Sequence, residues 1–179
     1  MRRLLLIAAA AVVVLVAGGG AMRLGDGNGA GDGAETDAGV ARVIRIVDGD
    51  TILVRLDGRR ERVRYIGMDT PEDVKPGAPV ECYGPAAAKE NDRLVGGRTV
   101  RLTTDVERRD RYGRLLAYVR REPDGVFVNE VLVRDGFATA LEVPPNTRYA
   151  GEFRRLEREA RARGRGLWGA CRRERLRAG

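Results

Sequence analysis

Apolar and polar positions alternate with two different periods along this chain, and the change of period divides it into elements. Val43-Ile44-Arg45-Ile46-Val47 and Thr51-Ile52-Leu53-Val54-Arg55-Leu56 are rich in β-branched residues and flank an Asp48-Gly49-Asp50 turn, so they predict two strands. Asp57-Gly58 is a hairpin signal leading into a third strand, Glu61-Arg62-Val63-Arg64-Tyr65-Ile66. Pro85 to Val95 predicts a helix, with proline in its first turn and Gly96-Gly97 at its end. Thr99 to Thr103 and Leu115 to Val119 predict two more strands, separated by the charged turn Glu107 to Arg114. Val128 to Arg134 predicts a short helix closed by Gly136, and about Thr147 to Arg163 a longer one. Tyr149, Phe153, Leu156 and Ala160 line one face of the last helix, a stripe read as core packing. Five strands in meander order, with helices after the third and the fifth, predict an α+β fold: a five-stranded Greek-key β-barrel of the OB type with three α-helices.

The ends have different patterns. Arg2 and Arg3 precede an unbroken apolar run, Leu4 to Ala17, followed by Gly18-Gly19-Gly20-Ala21, which predicts a signal peptide over residues 1–22. Extended to Met22 the run reaches 19 residues, enough for an uncleaved N-terminal membrane anchor, and the alternatives of secretion and anchoring stay open. Both place the remainder outside the plasma membrane. No cysteine follows the run to accept a lipoprotein anchor. Residues 23–40, dominated by Gly, Asp and Ala, predict a flexible linker. The folded domain is expected over 41–171, with a basic tail at 172–179.

Composition sharpens the functional question. Hydrophobic residues at 43% suffice for a core, which excludes a disordered chain, while 33% charged residues suit a small solvated enzyme or binding module. The formal charge is +7, and because residues 1–40 carry −1, the domain region carries +8. Such a surface attracts polyanions, either nucleic acid or an anionic bilayer. Cys82 and Cys171 are the two cysteines, and in an exported protein an even pair predicts one disulfide; the alternative is two separate buried thiols.

The chain contains no histidine. An enzyme without imidazole must activate water with a carboxylate or a metal ion, and must meet negative charge with arginine, metal or backbone amides. Asp48-Gly49-Asp50-Thr51, Arg64, Asp69-Thr70-Pro71-Glu72 and Asp110-Arg111-Tyr112-Gly113-Arg114 supply both kinds of group. Singly, each is a common turn or loop, Asp-Gly-Asp being frequent where the backbone takes positive φ. An EF-hand is excluded, since its glycine and bidentate glutamate positions, counted from Asp48, hold Leu53 and Arg59.

In combination with Tyr83-Gly84-Pro85, Val128-Asn129-Glu130 and Gly166-Leu167-Trp168, these motifs resemble, over residues 41–169, the staphylococcal nuclease (thermonuclease) family. The resemblance implies an OB-fold barrel with three helices that hydrolyses phosphodiester bonds of DNA and RNA with calcium and leaves 3′-phosphates. It implies Ca2+ ligands at Asp50, Asp69 and the Thr70 carbonyl, with Asp48 acting through water. Glu72 is implied as general base, Arg64 and Arg114 as the grip on the scissile phosphate, and Arg111 and Tyr112 as holding a terminal phosphate. Two pocket tyrosines of the family's archetype are replaced here by the stretch Leu141-Glu142-Val143-Pro144-Pro145-Asn146. The leading expectation is therefore an exported calcium-dependent nuclease with DNA or RNA as substrate. The alternatives are a non-catalytic extracellular nucleic-acid-binding module and a membrane-tethered domain whose basic face meets lipid or anionic polymer. No feature calls for an obligate protein partner.

Overall fold

Alternation in the first three strands places Val43, Ile52, Val54, Val63 and Tyr65 inside a barrel, each 2% exposed or less. A computed structural model describes residues 35–72 and 80–171. Strand β1 (Thr36–Ile46) pairs antiparallel with β2 (Thr51–Leu56), and β2 with β3 (Arg59–Tyr65). Asp57 and Gly58 both take positive φ, 48° and 78°, the conformation that a two-residue hairpin turn requires. The two-residue β4 (Met68–Asp69) follows, then α1 (Gly84–Val95), β5 (Thr99–Thr104), β6 (Leu115–Arg121), α2 (Val128–Arg134), β7 (Thr139–Ala140) and α3 (Ala150–Ala162).

The barrel closes in the order β1-β2-β3-β6-β5, with β5 returning to β1 and β3 lying parallel to β6. The expected meander therefore holds for the first three strands but not around the whole barrel. A helix-containing connection carries the chain past β3, so β6 takes the place beside it and β5 closes the edge. That exchange is the Greek-key step.

β1 starts at Thr36, inside the segment expected to be linker. Its backbone pairs with β5 from Thr36↔Thr104 onward, Asp37 meets Arg101 at 2.9 Å, and Tyr149 donates its hydroxyl to Glu35 at 2.6 Å. Gly39, at φ 109°, takes up the irregularity in that pairing. Composition hid the strand because its partners, rather than its own side chains, define it. The α3 helix begins at Ala150, since Thr147 and Tyr149 form the turn before it. Phe153, Leu156 and Ala160 are buried as expected, and Tyr149 packs edge-on against Tyr118 with ring centroids 4.7 Å apart.

Cys82 and Cys171 form a disulfide that ties the start of α1 to the residues after α3. The apolar run at 4–22, most of the linker and the basic tail lie outside the described residues. Among the described residues no helix is long and apolar enough to cross a membrane.

Candidate active site

The β1–β2 turn carries the first two acids. Asp48 Oδ1 accepts the Asp50 backbone N–H at 3.0 Å, which holds the turn tight. Gly49 is needed here for proximity: its φ is not positive, but a Cβ at this position would stand 2.6 Å from Thr70 Oγ1. Space, rather than backbone conformation, is thus what requires glycine here. Close approach of Thr70 lets its backbone N–H and hydroxyl donate to Asp50 Oδ2, at 2.9 and 3.1 Å. Asp50 Oδ1 accepts from Thr51 Oγ1 at 3.1 Å and from Arg64.

Arg64 reaches this point because Val63 and Tyr65 turn into the barrel and leave it on the outer face. Its guanidinium bridges two carboxylates, Asp50 through Nη1 and Asp69 through Nη2, the latter at 2.5 Å. Asp69 sits on β4, which pairs with β7 through Asp69↔Thr139. Glu72 follows, its backbone N–H donating to the Glu81 carboxylate at 3.0 Å while Glu81 N–H donates back to the Glu72 carbonyl at 2.8 Å. Asp48, Asp50, Asp69, Glu72 and Glu81, with Arg64, Thr70 and Pro71, line one cavity of about 260 Å³.

Five carboxylates against one guanidinium make this cavity strongly negative. Asp50 is only 1% exposed, and burial pushes its carboxyl up to about 7 against the pull of Arg64 and the Thr70 N–H, with Asp48 adding to the rise. The charged form wants more positive charge than Arg64 supplies. Among the described residues no cluster of three or more acids can hold an ion by carboxylates alone. An ion here would need backbone oxygen and water as well, an all-oxygen set that suits a hard cation such as calcium and offers nothing to a metal preferring nitrogen or sulfur. The residues fit the expected ion in kind.

The second half of the site is the β5–β6 turn. Asp110 organises it, its Oδ1 accepting the Tyr112 and Arg114 N–H groups at 2.9 and 3.0 Å and its Oδ2 accepting Arg114 Nε at 2.6 Å. Burial alone would raise the Asp110 carboxyl, but these bonds, that from the Arg114 side chain foremost, hold it below its ordinary value. Arg111 donates to the Tyr112 hydroxyl at 2.6 Å and lies over its ring, 4.8 Å from the centroid. Arg111, Tyr112 and Arg114 line a second cavity of about 490 Å³, whose wall also includes Arg64, Glu107, Leu141 and Val143. Arg64 is common to both cavities, so acids and cations meet at one side chain.

All nine residues singled out for chemistry therefore line one or both of two cavities that share Arg64. Leu141 and Val143 stand in the wall of the larger one, whereas Glu142 is turned away and paired with Arg154. The repulsion that Glu142 would exert on a phosphate is thus removed. Sequence reasoning missed Glu81, which joins the acid cavity only through its backbone exchange with Glu72. It also missed Asn91, whose amide donates to the Asp48 carbonyl at 3.1 Å and accepts from the buried Tyr65 hydroxyl at 2.9 Å. Asn146 exchanges two 2.8 Å bonds with the Glu107 backbone and so braces the wall of the larger cavity. An asparagine on the buried face of α1 was the one available signal for Asn91.

Residues 62–170 match the family model described as "Staphylococcal nuclease homologue". This chain belongs to the staphylococcal nuclease family. It is 40% identical over 127 residues to "Thermonuclease" of Staphylococcus hyicus, and 44% identical over 126 residues to "Thermonuclease" of Staphylococcus intermedius. These alignments cover 71% and 70% of this chain and 74% of each relative. "Endonuclease YncB" of Bacillus subtilis (strain 168) is 44% identical over 126 residues, 69% of this chain and 59% of that protein. The closed barrel and its helices are those of the family's fold, and the matched segment takes in Arg64, Asp69, Glu72 and the whole Asp110–Arg114 turn.

Proposed function

We propose that this protein is an exported, calcium-dependent nuclease that hydrolyses phosphodiester bonds of DNA or RNA and leaves 3′-phosphates. The observation that carries the reading is the junction at Arg64, where a cavity rich in carboxylates meets one lined by arginines. Asp50, Asp69 and the Thr70 carbonyl would hold calcium, with Asp48 acting through water. Calcium, when bound, supplies charge neutralisation at a phosphoryl oxygen.

Glu72 takes a proton from the attacking water, a task that falls to a carboxylate in a chain without histidine. The water oxygen bonds to phosphorus, the bond to the 5′ oxygen breaks, and that oxygen leaves as an alcohol by taking a proton from solvent water, while Glu72 later returns its proton to solvent. Arg64 and Arg114 meet the charge that builds on the phosphoryl oxygens, each presenting a planar fork suited to paired hydrogen bonds. Asp110 grips Arg114 through Nε, and so fixes the direction of its two terminal amines. Arg111 and Tyr112 position a terminal phosphate. Support for export comes from the sequence of residues 1–22 and from the Cys82–Cys171 disulfide, a bond favoured in oxidising compartments.

A plasmid-nicking assay with calcium and with chelator tests the reading. Calcium-dependent nicking is expected, abolished in folded Glu72→Ala and Arg64→Ala proteins. Cleavage that persists in chelator, or full activity in both variants, would refute the assigned roles. DNA retained but never cut would replace them with a binding module.

A further inference from the structure

Five arginines lie together on the outer face of β1, β2 and β3. Arg42 is directly opposite Arg55, and Arg55 opposite Arg60; in the next row Arg45 and Arg62 flank Leu53. All five are exposed, and none forms an ion pair with a described carboxylate. Their inward neighbours Ala41, Val43, Val54 and Val63 are buried, so alternation forces the guanidinium groups onto one side. On α3, by contrast, Arg155 and Arg161 each meet a glutamate one turn away. Like charges directly across a strand pair oppose sheet formation. A face that keeps two such pairs without a counter-charge is suited to an external polyanion.

The direction of the patch identifies the polyanion. Arg60, Arg62 and Arg64 alternate along the outer face of β3, with Val63 and Tyr65 turned inward between and beyond the last two. Successive members are about 6.6 Å apart along a strand. Arg64 is the residue shared by both cavities of the site, and Arg62 lines a further cavity of about 290 Å³ with Tyr112, Gly113 and Arg114. The positive face is therefore continuous with the place where the phosphate is cut. A bilayer would meet such a face but has no reason to run into the site.

We propose that Arg62, Arg60, Arg55 and Arg42 form a backbone track that holds the phosphates of a single strand beyond the scissile bond. The proposal rests on the nuclease reading for its substrate class, and it extends that reading from one phosphate to a polynucleotide several residues long. The track reads charge and spacing, so it is indifferent to base and favours long substrates over short ones.

The experiment is fluorescence anisotropy of labelled single-stranded 20-nucleotide and 3-nucleotide probes on the full chain, in chelator, across a series of NaCl concentrations. Each phosphate neutralised on a single strand contributes about 0.7 to the slope of log Kd against log salt. Replacing three arginines together (Arg42→Gln, Arg55→Gln and Arg60→Gln) should lower the 20-mer slope by about 2, equivalent to roughly 100-fold weaker binding at 0.1 M salt when extrapolated from 1 M. The difference in slope between the 20-mer and the 3-mer should shrink by the same amount. The matching triple lysine variant should restore the slope, because phosphate neutralisation needs charge rather than a fork. An unchanged slope in a glutamine variant that still melts cooperatively would overturn the track. So would loss of binding to phosphatidylglycerol-containing vesicles with the 20-mer slope intact, which would assign the face to lipid. Binding in chelator does not depend on cleavage: a slope change without calcium-dependent nicking keeps the track and removes the hydrolase, and nicking without a slope change does the reverse.

Discussion

Replacing Asp50 with asparagine should stabilise the metal-free protein while removing its response to calcium. Asp50 is almost wholly buried, and burial raises its carboxyl from 3.8 to about 7 in spite of Arg64. Because the value is raised on folding, ionisation of Asp50 favours the unfolded chain: its contribution is most favourable below pH 3.8 and is lost as pH rises through about 7. At pH 8 the buried charge costs roughly 4 kcal/mol, because each tenfold difference in acidity between the folded and the unfolded chain is worth about 1.36 kcal/mol. Asparagine keeps a carbonyl oxygen for the Thr70 N–H, and because the raised value is reached against the pull of Arg64, loss of the charge-assisted bond is already contained in that cost. The gain is therefore up to about 4 kcal/mol, or on the order of 10 °C in Tm for a domain of this size. Calcium at 100 times its Kd should stabilise the parent protein by about 2.7 kcal/mol and the Asp50→Asn variant by far less. Thermal unfolding by circular dichroism at pH 8, in chelator and in calcium, reads both effects. A variant that melts below the parent in chelator, or gains as much from calcium, would refute the placement of an uncompensated charge at Asp50.

Three more outcomes follow from particular contacts. Arg114→Lys should lower kcat by about 100-fold or more with little change in Tm, because lysine keeps the charge but cannot lie against Asp110 through Nε and still offer two amines; activity within threefold of the parent would contradict the role. Gly49→Ala places a methyl 2.6–2.8 Å from the Thr70 side chain and should separate Thr70 from Asp50, reducing activity at least tenfold, whereas Gly58→Ala, with open space around it but positive φ, should cost only stability; equal nicking rates in the two variants would count against the close-approach argument. Cys82→Ser with Cys171→Ser opens a loop spanning 89 residues and should cost up to about 4–5 kcal/mol, less whatever order the reduced chain retains, measured by urea unfolding; an unchanged midpoint would show that the bond is not structural.

The barrel was legible because its strands obey local rules. Alternation around Val54 and Val63 and the Asp57-Gly58 turn each specify a hairpin without outside help. Less legible were the elements whose identity comes from a distant partner. Thr36 to Val40 is strand because β5 lies beside it, and β4 and β7 are two-residue pairings that no periodicity can announce. The same division runs through the site. The acids and arginines stood in motifs, but Glu81 enters by a backbone exchange with Glu72, and Asn91 by linking Tyr65 to the Asp48 carbonyl from another element. The Leu141 and Val143 walls were visible as a departure from the resembling family, while the turning of Glu142 toward Arg154 depended on where α3 packs.

Asp50 and Asp69 are proposed to grip one cation while Arg64 and Arg114 share one phosphate. A crystal structure of the protein with calcium and a nucleoside 3′,5′-bisphosphate tests it most directly. A single ion is expected about 2.3–2.6 Å from oxygens of Asp50, Asp69 and the Thr70 carbonyl, with both guanidinium groups on the 5′-phosphate. An ion bound elsewhere, or a phosphate that either arginine fails to reach, would contradict it.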